Sequence, residues 1–159
     1  MIRLMLVFIF IYVAFTAVSF KYAKSFRVKN KAIDFVEQNQ IIDIDTFFNS
    51  ANGNNLRELD KVLSAASYDV TCDEIGYSEG NIIEKEEDSI IGYCYRGVVI
   101  KKNPTKSTND TIYYTINTYA NWNLGVLNTI LALGGRDTNS ERGIGGRWKI
   151  TGEAVVVNK

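Results

Sequence analysis

MIRLMLVFIFIYVAFTAVSF (1–20) runs straight into KYAKSFRVKNKAIDFVEQNQ (21–40), and how this join is read decides the fold. Leu4 to Phe20 carries no charge, and its length is near the lower limit for a helix that crosses a bilayer. Arg3 and the N-terminal amine precede it. Three readings compete: a cleaved signal peptide with a weak cleavage site near Ala17-Val18-Ser19, a simple anchor followed by a break, and one long helix that is apolar first and amphipathic afterwards. The second half favours continuity. Tyr22, Phe26, Ile33 and Val36 recur at helical spacing, with Lys29 in the gap and Phe35 beside the stripe. Lys21, Lys24, Arg27 and Lys31 fall mostly on other faces. No Gly or Pro interrupts Leu4 to Gln40, and a helix of that span is about 55 Å long at about 1.5 Å per residue. The pattern therefore predicts a transmembrane and amphipathic helix over 1–40, with Leu4, Val7, Phe8, Ile11, Phe15 and Phe20 on its membrane or assembly surface, and a separate α+β domain over 41–159.

Past the helix, Ile41 to Asn55 reads as a connection, with a turn of helix in DIDTFF and loop chemistry in SANGNN. Asn54 or Asn55 caps the next segment. In LRELDKVLSAAS (56–67), Leu56, Leu59, Leu63 and Ala66 share one stripe, which predicts a short amphipathic helix with Arg57 and Asp60 on its solvated side. After Ser67 the pattern changes to strands. YDVTC (68–72) reads as a short strand, GYSEGNIIEKEEDS (76–89) as a polar hairpin loop, and SIIGYCYRGVVIKK (89–102) as one strand with bulges at its glycines. TIYYTINTYANWN (111–123) is the clearest strand. Ile112, Tyr114, Ile116, Thr118, Ala120 and Trp122 lie on one face, with Tyr113, Thr115, Asn117 and Tyr119 on the other. LGVLNTILAL (124–133) reads as a short helix or a packed loop, and GGRDTNSERGIGGR (134–147) as a glycine-rich loop. WKITGEAVVVNK (148–159) closes the chain as a strand with Trp148, Ile150, Ala154 and Val156 on one side. Helices followed by about four antiparallel strands make the class α+β.

Composition excludes several chemistries. Lysine plus arginine and aspartate plus glutamate both number 18, so no basic excess marks a nucleic-acid binder. The chain contains no histidine. That removes the commonest general base and metal ligand, excludes a Ser-His-Asp triad, and leaves Cys72 and Cys94 unable to build a zinc site. No cofactor or metal is expected. GIGGR (143–147) lacks the strand–loop–helix context and the GK[ST] of a phosphate loop. EKEED (84–88) lacks the spaced ligands and glycine of a calcium loop. Asp43/Asp45 and Asp73/Glu74 could flank a sugar, but surface carboxylates are the simpler reading. Tyr113, Tyr114, Tyr119, Trp122 and Trp148 could form a ligand or partner platform, against the simpler account of strand packing. Asn109-Asp110-Thr111 matches a glycosylation sequon, which matters only in a eukaryotic secretory setting.

Cys72 and Cys94 bound a polar segment that should double back. Two neighbouring strands would bring them to disulfide distance, so a disulfide, and with it an oxidising compartment, is preferred over two buried thiols. The basic cluster Lys21 to Lys31 points the other way, since positive-inside reasoning would place it in the cytoplasm. The cysteines are given more weight, because the cluster could bind anionic headgroups on either side.

The order of these features resembles type IV pilin-like proteins, and most closely the small membrane-anchored minor-pilin-like proteins of Tad-type systems in Gram-positive bacteria. The residues that carry the resemblance are AIDFVEQNQ (32–40) closing the long helix, the cysteines in TC and GYC, and YYTINTYANWNLGVLNTILALGG (113–135) before WKITGEAVVV (148–157). It covers most of the chain as architecture and loose pattern. It implies a non-enzymatic subunit or accessory component of a pilus-like or secretion-related surface apparatus. Single-pass anchoring in the cell membrane, an extracytoplasmic C-terminal domain, and membrane lipid and sister subunits as partners go with it. The chain shows neither a basic leader ending in Gly nor a Glu five residues into the apolar helix, so an unprocessed or an accessory component fits the resemblance better than a major filament subunit. The other class of function is a membrane-tethered module that binds a cell-surface or wall ligand. A hydrolase using carboxylates is a third.

Overall fold

The structure, a computed structural model, describes residues 2–49, 54–84, 89–123 and 145–158. Its elements follow the order α1 (Ile2–Gln38), α2 (Ile44–Asn49), α3 (Asn54–Ala65), a 3₁₀ turn (Asp73–Ile75), and strands β1 (Gly80–Glu84), β2 (Ser89–Tyr95), β3 (Val98–Lys102), β4 (Thr111–Asn123) and β5 (Gly145–Val157). The five strands form one sheet in sequential order. The class is α+β, as expected, with antiparallel pairing. LGVLNTILAL (124–133), most of the glycine-rich stretch 134–147 and most of EKEED lie outside the described residues. Two compact units divide the chain, Met1–Ala23 with Ala120–Trp148, and Lys24–Tyr119 with Lys149–Lys159.

The join at Phe20/Lys21 is helical throughout, so α1 is one element across it. Of the expected stripe, Val36 is fully buried and Ile33 packs against the core, but Tyr22 and Phe26 are not part of the buried face. Ser25, Val28, Ala32, Phe35 and Val36 are buried, whereas Tyr22 and Phe26 are exposed. The spacing is right and the phase is about one residue off. Small Ser25 and Ala32 let the helix approach the sheet closely, although an apolarity count passes over Ser25. Ser25 Oγ donates to the Tyr119 carbonyl at 2.8 Å, and Thr118 Oγ1 donates back to the Ser25 carbonyl at 3.0 Å. Further along, Glu37 Oε1 accepts the Val155 N–H of β5 at 3.0 Å. Gly152 leaves space that Ile33 and Lys29 fill, since a Cβ there would lie 2.7 Å from the Ile33 Cδ1.

Both α1 and α3 end in the same way without glycine. After α1, Gln40 takes φ 50°, its N–H bonds to the Glu37 carbonyl, and the Ile41 N–H bonds to the Val36 carbonyl. After α3, Ser67 takes φ 50°, its N–H bonds to Ser64, and the Tyr68 N–H bonds to Leu63. This pair of bonds is the Schellman arrangement, and the residue that follows each left-handed position, Ile41 or Tyr68, is buried.

Four strand assignments are corrected. YDVTC is not a strand. Tyr68, Val70 and Cys72 alternate inward as strand residues do, but the segment makes no ladder and turns into the 3₁₀ helix. Residues 80–84, read as hairpin loop, form the edge strand β1, which pairs with β2 and shifts register between Ile82 and Ile83. Residues 89–102 are two strands rather than one, because Arg96 (φ 45°) and Gly97 (φ 72°) make a two-residue hairpin with positive φ at both positions. The sheet therefore has five strands where about four were expected. Gly145–Arg147, assigned to the loop, begin β5.

The main core of the larger unit lies where Val28, Ala32, Phe35, Val36, Leu59 and Leu63 meet the sheet residues Ile100, Tyr114, Ile116, Ala154 and Val156. A second, small cluster contains Cys72, Ile82, Cys94 and Val99, with Tyr77 and Tyr119 packed against it. Tyr93 belongs to the first and Cys94 to the second, as strand alternation requires.

Candidate membrane anchor and aromatic cluster

The smaller unit carries the first candidate surface. Leu4, Val7, Phe8, Ile11, Phe15 and Phe20 are all exposed, from 41% at Val7 to 72% at Phe20. Leu4, Val7, Phe8, Ile11 and Phe15 share one stripe, with Phe20 on the opposite side, and Met5, Leu6, Ile9, Phe10 and Val13 on the other faces are exposed as well, so apolar surface runs round the helix as in a segment with an apolar surrounding. By length and composition α1 is able to cross a membrane. Its Thr16 and Ser19 hydroxyls are satisfied by the helix itself: Thr16 Oγ1 donates to the Tyr12 carbonyl at 2.8 Å and Ser19 Oγ to the Phe15 carbonyl at 2.9 Å. That arrangement costs little where no water is present.

In the same unit the two tryptophans come together. Trp122 of β4 and Trp148 of β5 have ring centroids 5.7 Å apart, and Tyr22 of α1 meets Trp148 edge-on at 5.9 Å. Trp148 and Tyr22 are 43% and 44% exposed. A side chain at Gly146 would strike the Trp122 indole, so that indole lies close against the β5 backbone. Arg147 Nε donates to Asn121 Oδ1 at 2.8 Å beside it. Trp122 Nε1 is buried and without an acceptor among the described residues.

Tyr113 and Tyr119, grouped with the tryptophans from sequence, are on the opposite face of β4 by strand alternation and do not join them. Tyr113 flanks the 103–110 turn, where its main chain bonds to Asn103 and Ser107. Tyr119 packs on both core clusters, and its main-chain N–H donates to the Tyr68 hydroxyl at 2.8 Å. Tyr22, absent from the expected platform, completes the cluster. Its place in the helical stripe made it look like core.

In the larger unit Cys72 and Cys94, 22 positions apart in sequence, are joined in a disulfide with Cα atoms 6.2 Å apart. The chain from Tyr68 to Cys72 passes from one core cluster to the other around the β2–β3 turn. Gly97 makes that passage possible: a Cβ there would lie 2.6 Å from the Val70 carbonyl oxygen. Gly97 N–H also lies 3.4 Å from Cys72 Sγ.

The carboxylates do structural work. Asp43 accepts from the Thr46 N–H at 3.1 Å and from its hydroxyl, and this holds its pKa below the usual carboxylate value. Asp45 accepts from Asn49 and, at 2.9 Å, from Asn81. Asp60 is not merely solvated, because it pairs with Arg96 at 2.5 Å and accepts from the Tyr95 hydroxyl at 3.3 Å. Asp73 and Glu74 lie in the 3₁₀ turn, where the Glu74 N–H reaches Thr71 Oγ1 at 3.4 Å. Among the described residues no three Cys, Asp or Glu side chains gather as a metal site would need. Burial pushes the Tyr114 phenol up to about 12, while its hydroxyl donates to the Ile42 carbonyl at 3.0 Å. Comparison with protein-family models, curated proteins and solved structures finds no match to this chain.

Proposed function

We propose that the protein is a non-enzymatic, membrane-anchored structural or accessory subunit of a pilus-like or secretion-related surface apparatus, with its sheet domain outside the cytoplasm. The observation that carries this reading is α1 itself. An apolar half, largely exposed apart from Ala14, belongs to the same helix as a half bonded to β4 and β5 through Ser25, Thr118 and Glu37. A helix of that kind can reside in lipid and later pack against sister helices, with apolar burial driving assembly once lipid is left behind. The Cys72–Cys94 disulfide supports an oxidising compartment for the domain.

The test uses the full chain in cells. Val7→Asp and Ile11→Asp should release the protein from membranes and abolish copurification of sister subunits, while the disulfide still forms. Unchanged membrane retention would sink the anchor. Retention with no copurifying subunit would leave a membrane-tethered binding module as the better reading. Thiol labelling in denatured lysates, with and without reductant, tests the compartment. Cysteines labelled only after reduction fit the extracytoplasmic placement, and cysteines free without reductant reject it.

A further inference from the structure

We propose that Tyr22, Trp122 and Trp148 form a lipid-interface cluster that seats among the headgroups and sets how deeply the protein is held. The inference rests on the anchor reading above. Leu4 to Phe20 rises about 25 Å as a helix, close to the roughly 30 Å hydrocarbon thickness of a bilayer. The membrane–water boundary therefore falls at the turn of α1 that follows Phe20. Tyr22 stands on that turn, and the Trp148 ring lies 5.9 Å from it. Trp122 extends the same ring contact.

Tyrosine and tryptophan concentrate at this level of a membrane, because an apolar ring body with one polar edge suits the boundary better than either phase. The basic residues agree. Lys21 precedes Tyr22, and Arg27 follows within about two turns of the helix, where anionic headgroups would pair with them, while Lys24 between them lies 3.8 Å from Asp69. Two strands thus supply aromatic contacts at the depth where the helix leaves lipid. A single helix would fix its depth only weakly, since it can slide and tilt at small cost. The occupant is a lipid headgroup layer rather than a soluble ligand, because Tyr22 continues the apolar stripe of Leu4, Ile11 and Phe15, and the helical turns that follow it carry cations on their other faces.

The chain's two tryptophans are both in this cluster, so its indole fluorescence reports nothing else. The full chain is reconstituted into vesicles of phosphatidylcholine and phosphatidylglycerol, and flotation establishes independently whether the helix is inserted. Lipids brominated near the carbonyls should quench the emission roughly twofold more than lipids brominated near the bilayer centre, and aqueous acrylamide should quench little. Trp148→Phe should keep flotation and retain the shallow quenching from Trp122. Flotation with efficient acrylamide quenching and no bromine effect overturns the cluster while the anchor stands. So does flotation with neither kind of quenching, which would mean the rings are closed inside protein. Failure to float overturns the anchor reading and this inference together.

Discussion

Tyr114 shows how one buried side chain sets a pH limit. It is fully buried and its hydroxyl is bonded to Ile42, so ionisation is displaced from 10.0 to about 12. The folded state then holds a proton that the unfolded chain has already lost between those values. Stability is whole below pH 10 and falls as pH rises from 10 towards 12. Denaturant melts should show this alkaline slope, and Tyr114→Phe should flatten it. Asp43 works in the opposite direction. Its lowered pKa contributes stability above the ordinary value of 3.8, and that contribution is lost as the pH falls through the folded value. Asp43→Ala should cost about 1 kcal/mol at neutral pH, as removal of a helix cap does, with the difference from the parent narrowing in acid. Gln40 and Ser67 occupy left-handed positions that glycine takes more easily. Ser67→Gly should therefore leave stability unchanged or raise it by up to about 1 kcal/mol, read from the urea midpoint.

At the scale of elements, α1 is selected by a rhythm of small and apolar residues rather than by apolarity alone. Ala32 is fully buried in the packed core of the larger unit. Ala32→Leu should overpack that contact and cost roughly 1–3 kcal/mol, whereas Tyr22→Leu, at an exposed position, should leave the chemical stability of the larger unit unchanged. Either result reversed would restore the stripe first read from the sequence. The same logic explains the strands. TIYYTINTYANWN announced itself because its period-two alternation is long enough to be unambiguous, and β4 covers that whole span. Residues 89–102 concealed a turn because Arg-Gly is not the usual Asn-Gly or Asp-Gly signal, so two strands looked like one. YDVTC had the alternation of a strand but no neighbour to pair with. Alternation reports burial, and only a partner makes a ladder.

For the molecule as a whole, the decisive covalent feature is the disulfide. It pins the segment that rounds the β2–β3 turn and joins the two sides of the sheet's packing. Closing a loop of this size stabilises by roughly 3 kcal/mol in the chain-entropy account. The Cys72→Ser/Cys94→Ser variant should lose about that much in denaturant melts, with the loss reproduced by reductant acting on the parent. A negligible change would mean that the second cluster holds without its link.

Local pattern alone specifies the long helix, its apolar half, the short amphipathic helix, β4, most of β5 and the α+β class, because each rests on a local period or on an uninterrupted run. Residues that act through distant partners needed the tertiary structure. The phase of α1 depended on Ser25 meeting β4 in space, and the crossing at Cys72 on a glycine placed 25 residues later in the chain. Tyr22, Trp122 and Trp148 are drawn from three separate stretches, and no spacing rule joins them. Their meeting is a property of packing, which reads side-chain volume and direction together, whereas a linear pattern reads only which residues recur.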